Sequence, residues 1–181
     1  PSTSSPEFWD GDIHWVTPTD ITKLRTRTIR ETSRKITELG LQNSSAKLVP
    51  AQSLLICTRA TIGELAITES EMCTNQGFKN IIPGSHTDVA FLYYLIQSIK
   101  HRLIAKASGS TFLELSKKDF ENIRLFAPAI KEQQKIASVL TAADKEIEVL
   151  EAKLAHFKQE KKALMQQLLT GKRRVVLAEG N

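Results

Sequence analysis

The stretch EQQKIASVLTAADKEIEVLEAKLAHFKQEKKALMQQLL, Glu132 to Leu169, contains neither Pro nor Gly. Within it Ile136, Leu140, Ala143, Ile147, Leu150, Leu154, Phe157, Lys161, Leu164 and Leu168 are spaced alternately four and three apart. That is an a/d heptad seam over about five heptads, with Lys161 as its polar member, and it predicts one coiled-coil-forming α-helix. Roughly 40 helical residues span about 60 Å at 1.5 Å per residue. Thr170-Gly171 places a glycine at the expected helix stop. Lys172-Arg173-Arg174 then puts positive charge where the helix dipole favours it. A domain of about 125 residues, near 30 Å wide, is too small to bury such a helix. The seam therefore calls for a second helix, and the chain contains none of matching length. Ile136, Leu140, Ile147, Leu150, Leu154, Phe157, Leu164 and Leu168 are the expected pairing residues, and the partner is another molecule or another part of the same polypeptide.

Working back from Pro128, the apolar pattern changes period. Ser53 to Thr58 is a short apolar run, Gly63 interrupts it, and Leu65-Ala66-Ile67 resumes it, which reads as strand, turn, strand. Phe78 to Ile82 is a further candidate strand, stopped by Pro83-Gly84. Phe91, Leu95, Ile99 and Leu103 recur every fourth residue and predict one helix from Asp88 to about Ala107. Ser116 has the character of an N-cap, with Asp119 at the third position inside a short helix. Ile123 to Phe126 reads as a last short strand. The fold class is α+β: a small globular domain with a mixed or antiparallel sheet and flanking helices, followed by the long helix. The expected division is 1–128 for the globular domain, 129–171 for the helical region and 172–181 for a basic tail. Pro1 to Asp12, rich in Ser, Pro and acids, reads as a cut edge, with the natural domain beginning upstream.

Composition narrows the function. The net charge of +5 on 181 residues suits a polyanionic partner without requiring one. Residues 21–47 are the most basic part of the globular region, with Lys23, Arg25, Arg27, Arg30, Arg34, Lys35 and Lys47 against Glu31 and Glu38. Cys57 and Cys73 form no CxxC pair and stand apart from the four histidines, so both read as reduced, buried small hydrophobes and no metal site is expected. The most apolar stretch, Val89 to Ile99, is about half a membrane span, and no signal peptide opens the chain, so the expected location is cytoplasmic.

No catalytic pattern emerges. There is no glycine-rich phosphate loop, no HExxH and no GxSxG. Asn75-Gln76-Gly77-Phe78 differs from the Asn-Pro-Pro-Tyr/Phe loop of adenine methyltransferases in both prolines. The expectation is a chain that is not an enzyme and binds no cofactor. Binding signals are better. Arg59 and Thr61 follow a strand at a turn, and Asn75 and Gln76 lie between two strands. Arg suits guanine, and Asn or Gln suits adenine, in the major groove. Ser108, Ser110 and Thr111 offer hydroxyls suited to phosphate, with Lys117 nearby. Thr17, Thr19, Arg25 and Lys79 complete the candidate DNA contacts. Each of these groups also has an ordinary structural role: Asn-Gln-Gly is a good turn and basic runs are commonly solvated faces.

The chain resembles the specificity subunit of Type I restriction–modification enzymes. The resemblance is carried by Ser2-Thr3 through Asp20, Arg59-Ala60-Thr61-Ile62-Gly63, Thr74-Asn75-Gln76-Gly77-Phe78, Ser108-Gly109-Ser110-Thr111-Phe112, Pro128 through Ala137, and the closing Leu164-Met165-Gln166-Gln167-Leu168-Leu169-Thr170-Gly171-Lys172. It implies a target-recognition domain that reads one half of a split double-stranded DNA site. It also implies a helical region that spaces two such domains and docks methyltransferase subunits, joined by the restriction subunit. Methyl donor and ATP would be bound by those other subunits. A usual family member carries two recognition domains and two helical regions. This chain has one of each, so it reads as a C-terminal half or a single-domain version that self-associates as a homodimer through the helix. The competing reading is a coiled-coil assembly adaptor whose globular part binds protein.

Overall fold

The computed structural model describes residues 1–108 and 113–175. After a short 3-10 turn, Pro6–Phe8, the elements run β1 (Trp9–Val16), α1 (Pro18–Thr22), β2 (Thr28–Ile29), β3 (Arg34–Ile36), α2 (Glu38–Gln42), β4 (Leu48–Val49), β5 (Leu54–Cys57), β6 (Leu65–Thr68), β7 (Met72–Thr74) and β8 (Phe78–Ile81). The helices α3 (Val89–Ser98), α4 (Lys100–Lys106), α5 (Lys117–Glu121) and α6 (Ile130–Leu169) complete the described chain. Two compact units result, Pro1–Ala137 and Ser138–Asn181.

The first unit is α+β, as expected, with two four-stranded sheets ordered β3-β1-β7-β4 and β2-β6-β5-β8. Both are mixed: β1 pairs with β7, and β2 with β6, in parallel, while the other neighbours are antiparallel. Side chains alternate across a strand, and β5 uses both faces. Leu55 and Cys57 join Val16, Ile29, Val49, Ala66, Met72 and Phe78 in a core drawn from both sheets. Leu54 and Ile56 face Leu92, Ile96, Ile99, Leu103 and Leu115. A strand buried on both sides explains the unbroken apolar run that marked it in the sequence. The outer face of the first sheet is closed by Trp9, Ile36 and Cys73.

The three strands expected from apolar runs are present as β5, β6 and β8. Three features differ from expectation. Residues 1–12 have no apolar run, yet Trp9–Val16 is an internal strand with partners on both sides. It bulges where Ile36 faces both Trp9 and Ile13. The expected single helix from Asp88 is two, because the chain breaks at Ile99 (φ −103°, ψ 13°). The break brings Leu103 back into the core that holds Ile96 and Ile99. Ile123 to Phe126 is not a strand: Ile123 and Leu125 alternate inward against that core, but the backbone joins no sheet among the described residues. The cap at Ser116 is as expected, its Oγ accepting from Asp119 N–H at 3.1 Å and donating to Asp119 Oδ2 at 2.6 Å.

The long helix runs Ile130–Leu169. Its end follows the sequence: Gly171 turns the chain at φ +73°, and Arg173 N–H returns to the Gln167 carbonyl at 3.0 Å. Leu140, Ile147, Leu150, Leu154, Phe157, Leu164 and Leu168 are all exposed, between 37% and 56%. Ile136 is half-buried within the first unit. Within that unit Gln133 is 2% exposed. Its Oε1 accepts Asp88 N–H at 3.0 Å, while Nε2 donates to the carbonyls of His86 (3.1 Å) and Pro128 (2.8 Å).

Candidate nucleic-acid interface

The polar turns singled out in the sequence are built around the place where the chain passes from one sheet to the other. β7 ends beside β1, with Val16 opposite Thr74, and Asn75 N–H donates to the Val16 carbonyl at 3.1 Å. Asn75 then folds over its own turn, its Oδ1 accepting Gly77 N–H at 2.9 Å. This Asx turn leaves the neighbouring Gln76 exposed. Thr58 closes the turn from the other sheet, its N–H and its Oγ1 both donating to the Gly77 carbonyl, at 2.8 and 3.3 Å. A Cβ added at Gly77 would lie 3.0 Å from Asn75 Oδ1, 3.6 Å from Pro18 Cγ and 3.9 Å from Arg59 Cβ. Three segments distant in sequence therefore meet at one glycine.

Each segment has its own local reason. Thr17 precedes α1, and Asp20 reaches back to it: Asp20 Oδ2 accepts Thr17 N–H at 2.8 Å and Thr17 Oγ1–H at 2.6 Å, and Oδ1 accepts Ser33 N–H at 2.9 Å. Burial works to raise the Asp20 pKa, but these hydrogen bonds outweigh it and hold the carboxyl below its ordinary 3.8. At the second segment, Ala60 sits at φ +57°, in the left-handed region, and Thr61 N–H closes onto the Arg59 carbonyl at 2.6 Å. For a non-glycine residue this conformation costs about 1 kcal/mol or more. Gly63 also has positive φ (+83°), and a Cβ there would strike Lys100 Cγ at 2.6 Å. The Thr61 hydroxyl is buried beside the Cys57 thiol, so it is not free to reach a ligand in this arrangement.

A fourth segment joins through Glu114. Ser108 and Glu114 exchange backbone hydrogen bonds at 3.1 and 3.0 Å, and Leu115 N–H donates to the Thr58 carbonyl at 3.0 Å. Glu114 Oε2 pairs with Arg59 Nη2 at 2.8 Å. Ser110 and Thr111 lie outside the described residues. Thr17, Thr19, Arg59, Asn75, Gln76 and Ser108 are thus carried by segments in mutual contact. Lys117, exposed, follows two residues after Leu115 and pairs with Glu121 at 3.6 Å. Lys79 is half-buried opposite Ile56 within the sheet, not fully exposed beside Gln76. Arg25 is exposed in the bend that leads to β2, and no described contact joins it to the Gly77 segments. Sequence reasoning passed over Asp20 and Glu114. The Thr-x-x-Asp spacing of 17–20 is a readable capping signal, whereas nothing local marks Glu114.

The cysteines are structural. Both are buried, and burial pushes each thiol up to about 11. Among the described residues no group of three or more His, Cys, Asp or Glu is placed to hold a metal, and no helix is long and apolar enough to cross a membrane.

Residues 1–159 match the family described as Type I restriction modification DNA specificity domain, and the chain belongs to that family. It is 39% identical over 150 residues to the MjaIX specificity subunit of Methanocaldococcus jannaschii, covering 82% of this chain and 35% of that protein. It is 32% identical over 152 residues to the EcoR124I/EcoR124II specificity subunit of Escherichia coli, covering 80% and 37%. The chain thus spans about a third of the length of these curated relatives. The fold is similar to a chain from a type I R-M system assembly (TM-score 0.72, 20% identity, 92% of this chain and 39% of that one). It is also similar to the HsdS subunit of Thermoanaerobacter tengcongensis (TM-score 0.65, 18% identity, covering 92% and 40%).

Proposed function

We propose that this chain is a DNA-reading half of a Type I specificity subunit. Residues 1–128 recognise one half of a bipartite duplex site, 129–171 form the spacing and pairing arm, and 172–181 are a basic tail. One observation carries the reading: Thr17, Arg59, Gln76 and Ser108, separated by up to 91 positions, sit on segments that meet around Gly77. Base-edge donors and acceptors beside hydroxyls suited to phosphate are what a duplex requires. The chain contributes recognition, without catalysis, to a cytoplasmic complex. Methyltransferase subunits modify the DNA there and the restriction subunit joins them. The exposed seam of α6 pairs with a second copy or an equivalent helix. The adaptor reading draws no support from a family defined by DNA specificity.

Methylome sequencing of cells expressing the chain with its methyltransferase subunits would define the target. Gln76→Ala should then weaken binding to that target by about 1–3 kcal/mol, the value of a bidentate base contact, and leave random duplex unaffected. Equal affinities of variant and wild type for both DNAs would refute base reading by Gln76.

A further inference from the structure

Beside the Asn75–Gly77 turn lies a polar cleft of about 260 Å³ lined by Trp15, Ser45, Lys47, Asn75, Gln76 and Asn80 among others. Its walls are set by strand register. β4 runs antiparallel to β7 with Val49 opposite Met72 and Leu48 opposite Cys73. One further step along the same register puts Lys47 beside Thr74. On the other side β1 runs parallel to β7, with Trp15 opposite Cys73. The segment Ser44–Lys47, at the end of the basic stretch of the sequence, is thereby brought against the turn that holds Gln76. Asn80 Nδ2 donates to Thr74 Oγ1 at 3.0 Å and ties β8 to the same wall.

We propose that this cleft seats a phosphodiester group of the DNA backbone, with the Lys47 ammonium as its charge partner and the Ser45 hydroxyl beside it. The proposal rests on the DNA reading above and extends it to residues outside the turns discussed there. Lys47 and Ser45 are exposed, and the lining residues include no carboxylate to compete for the ammonium. The chemistry on offer, the Lys47 ammonium with hydroxyl and amide donors, is that of phosphate contacts. A side chain reading a base edge in the major groove, about 12 Å wide, has a phosphate strand on either side of it, so a base reader and a phosphate seat on neighbouring walls suit one duplex.

The test uses the full chain, a labelled 30-base-pair duplex of random sequence, and fluorescence anisotropy at salt concentrations from 50 to 200 mM. One phosphate contact contributes about 0.9 to the slope of log affinity against log salt. Lys47→Ala should lower the slope by about that amount, so that the wild-type advantage shrinks about 3-fold across the range. Lys47→Gln, which keeps most of the side chain but not its charge, should do the same, and Gln134→Ala, exposed on α6 and outside the cleft lining, should leave the slope unchanged. Salt-dependent binding by the wild type with an unaltered slope in both Lys47 variants would overturn the phosphate seat and leave the DNA reading standing. Salt-independent binding, or none, by the wild type would overturn both.

Discussion

Arg59 Nη2 and Glu114 Oε2 lie 2.8 Å apart, and the backbones of the two residues are bridged. The arginine proposed above as a DNA contact is thus held by a carboxylate from a segment 55 positions away. Both side chains are partly exposed, 45% and 37%, so the pair adds little stability and its effect is on where the guanidinium points and on its net charge. Glu114→Gln should therefore strengthen binding to random duplex several-fold and raise the salt slope by about 0.9, one additional phosphate contact. The ratio of target to random affinity should fall. Titration of both duplexes at two salt concentrations checks this, and an unchanged ratio would mean Glu114 has no part in selectivity.

Asp20 should make the α1 entry sensitive to acid. Its folded-state pKa lies below the ordinary 3.8, so the unfolded chain binds the proton more readily. Its contribution is then fully present above about pH 4 and is lost as pH falls through the folded-state value. Asp20→Asn should cost about 1–3 kcal/mol at pH 7, since charge-assisted bonds to Thr17 and Ser33 are replaced by weaker ones. The difference from wild type should shrink as pH is lowered through and below 4. Urea unfolding at pH 7 and pH 3 measures both, and a gap that stays constant would contradict the assignment.

Gln133, itself 2% exposed, bonds three backbone groups, of His86, Asp88 and Pro128, from the first turns of α6. Gln133→Ala removes all three hydrogen bonds from a part-buried site. A loss of about 1–3 kcal/mol is expected, the cost of leaving such groups unpaired. The adjacent Gln134 is exposed, and Gln134→Ala should be neutral. The readout is the urea midpoint at unchanged m-value.

The α6 seam makes a prediction about assembly. Leu150 and Leu154 are 56% and 53% exposed. If the seam pairs with another helix, Leu150→Asp buries an unpartnered charge and should dissociate the pair, seen as a halved mass by light scattering at micromolar concentration. Wild type that is already monomeric there would count against self-pairing. Removing Leu150 to His156, one heptad, keeps the seam in phase and shortens the arm by about 10 Å. That corresponds to about three base pairs. The methylated half-sites should move closer by that amount or methylation should cease, and an unchanged gap with full activity would defeat the ruler.

What could be read locally was whatever has a short period or a fixed offset. The heptads of Ile136 to Leu168, the doubly buried run of β5, the Ser116 cap with Asp119, and the Gly171 stop each depend on residues within a few positions of one another, and each stands as expected. β1 escaped because Trp9-Asp10-Gly11-Asp12 carries no strand periodicity. It is extended because β3 and β7 supply hydrogen bonds from either side, and because Gly11 passes Ile36 so closely that a Cβ would sit 2.6 Å from its carbonyl oxygen. The turns at Thr17, Arg59 and Asn75 could be recognised one by one as polar turns, but not as one surface. Their meeting at Gly77, the capture of Arg59 by Glu114, and the cleft between Lys47 and Gln76 follow from the register of strands far apart in the chain. A one-residue slip in any of those pairings would turn the same side chains to the opposite face, and no local pattern encodes that choice.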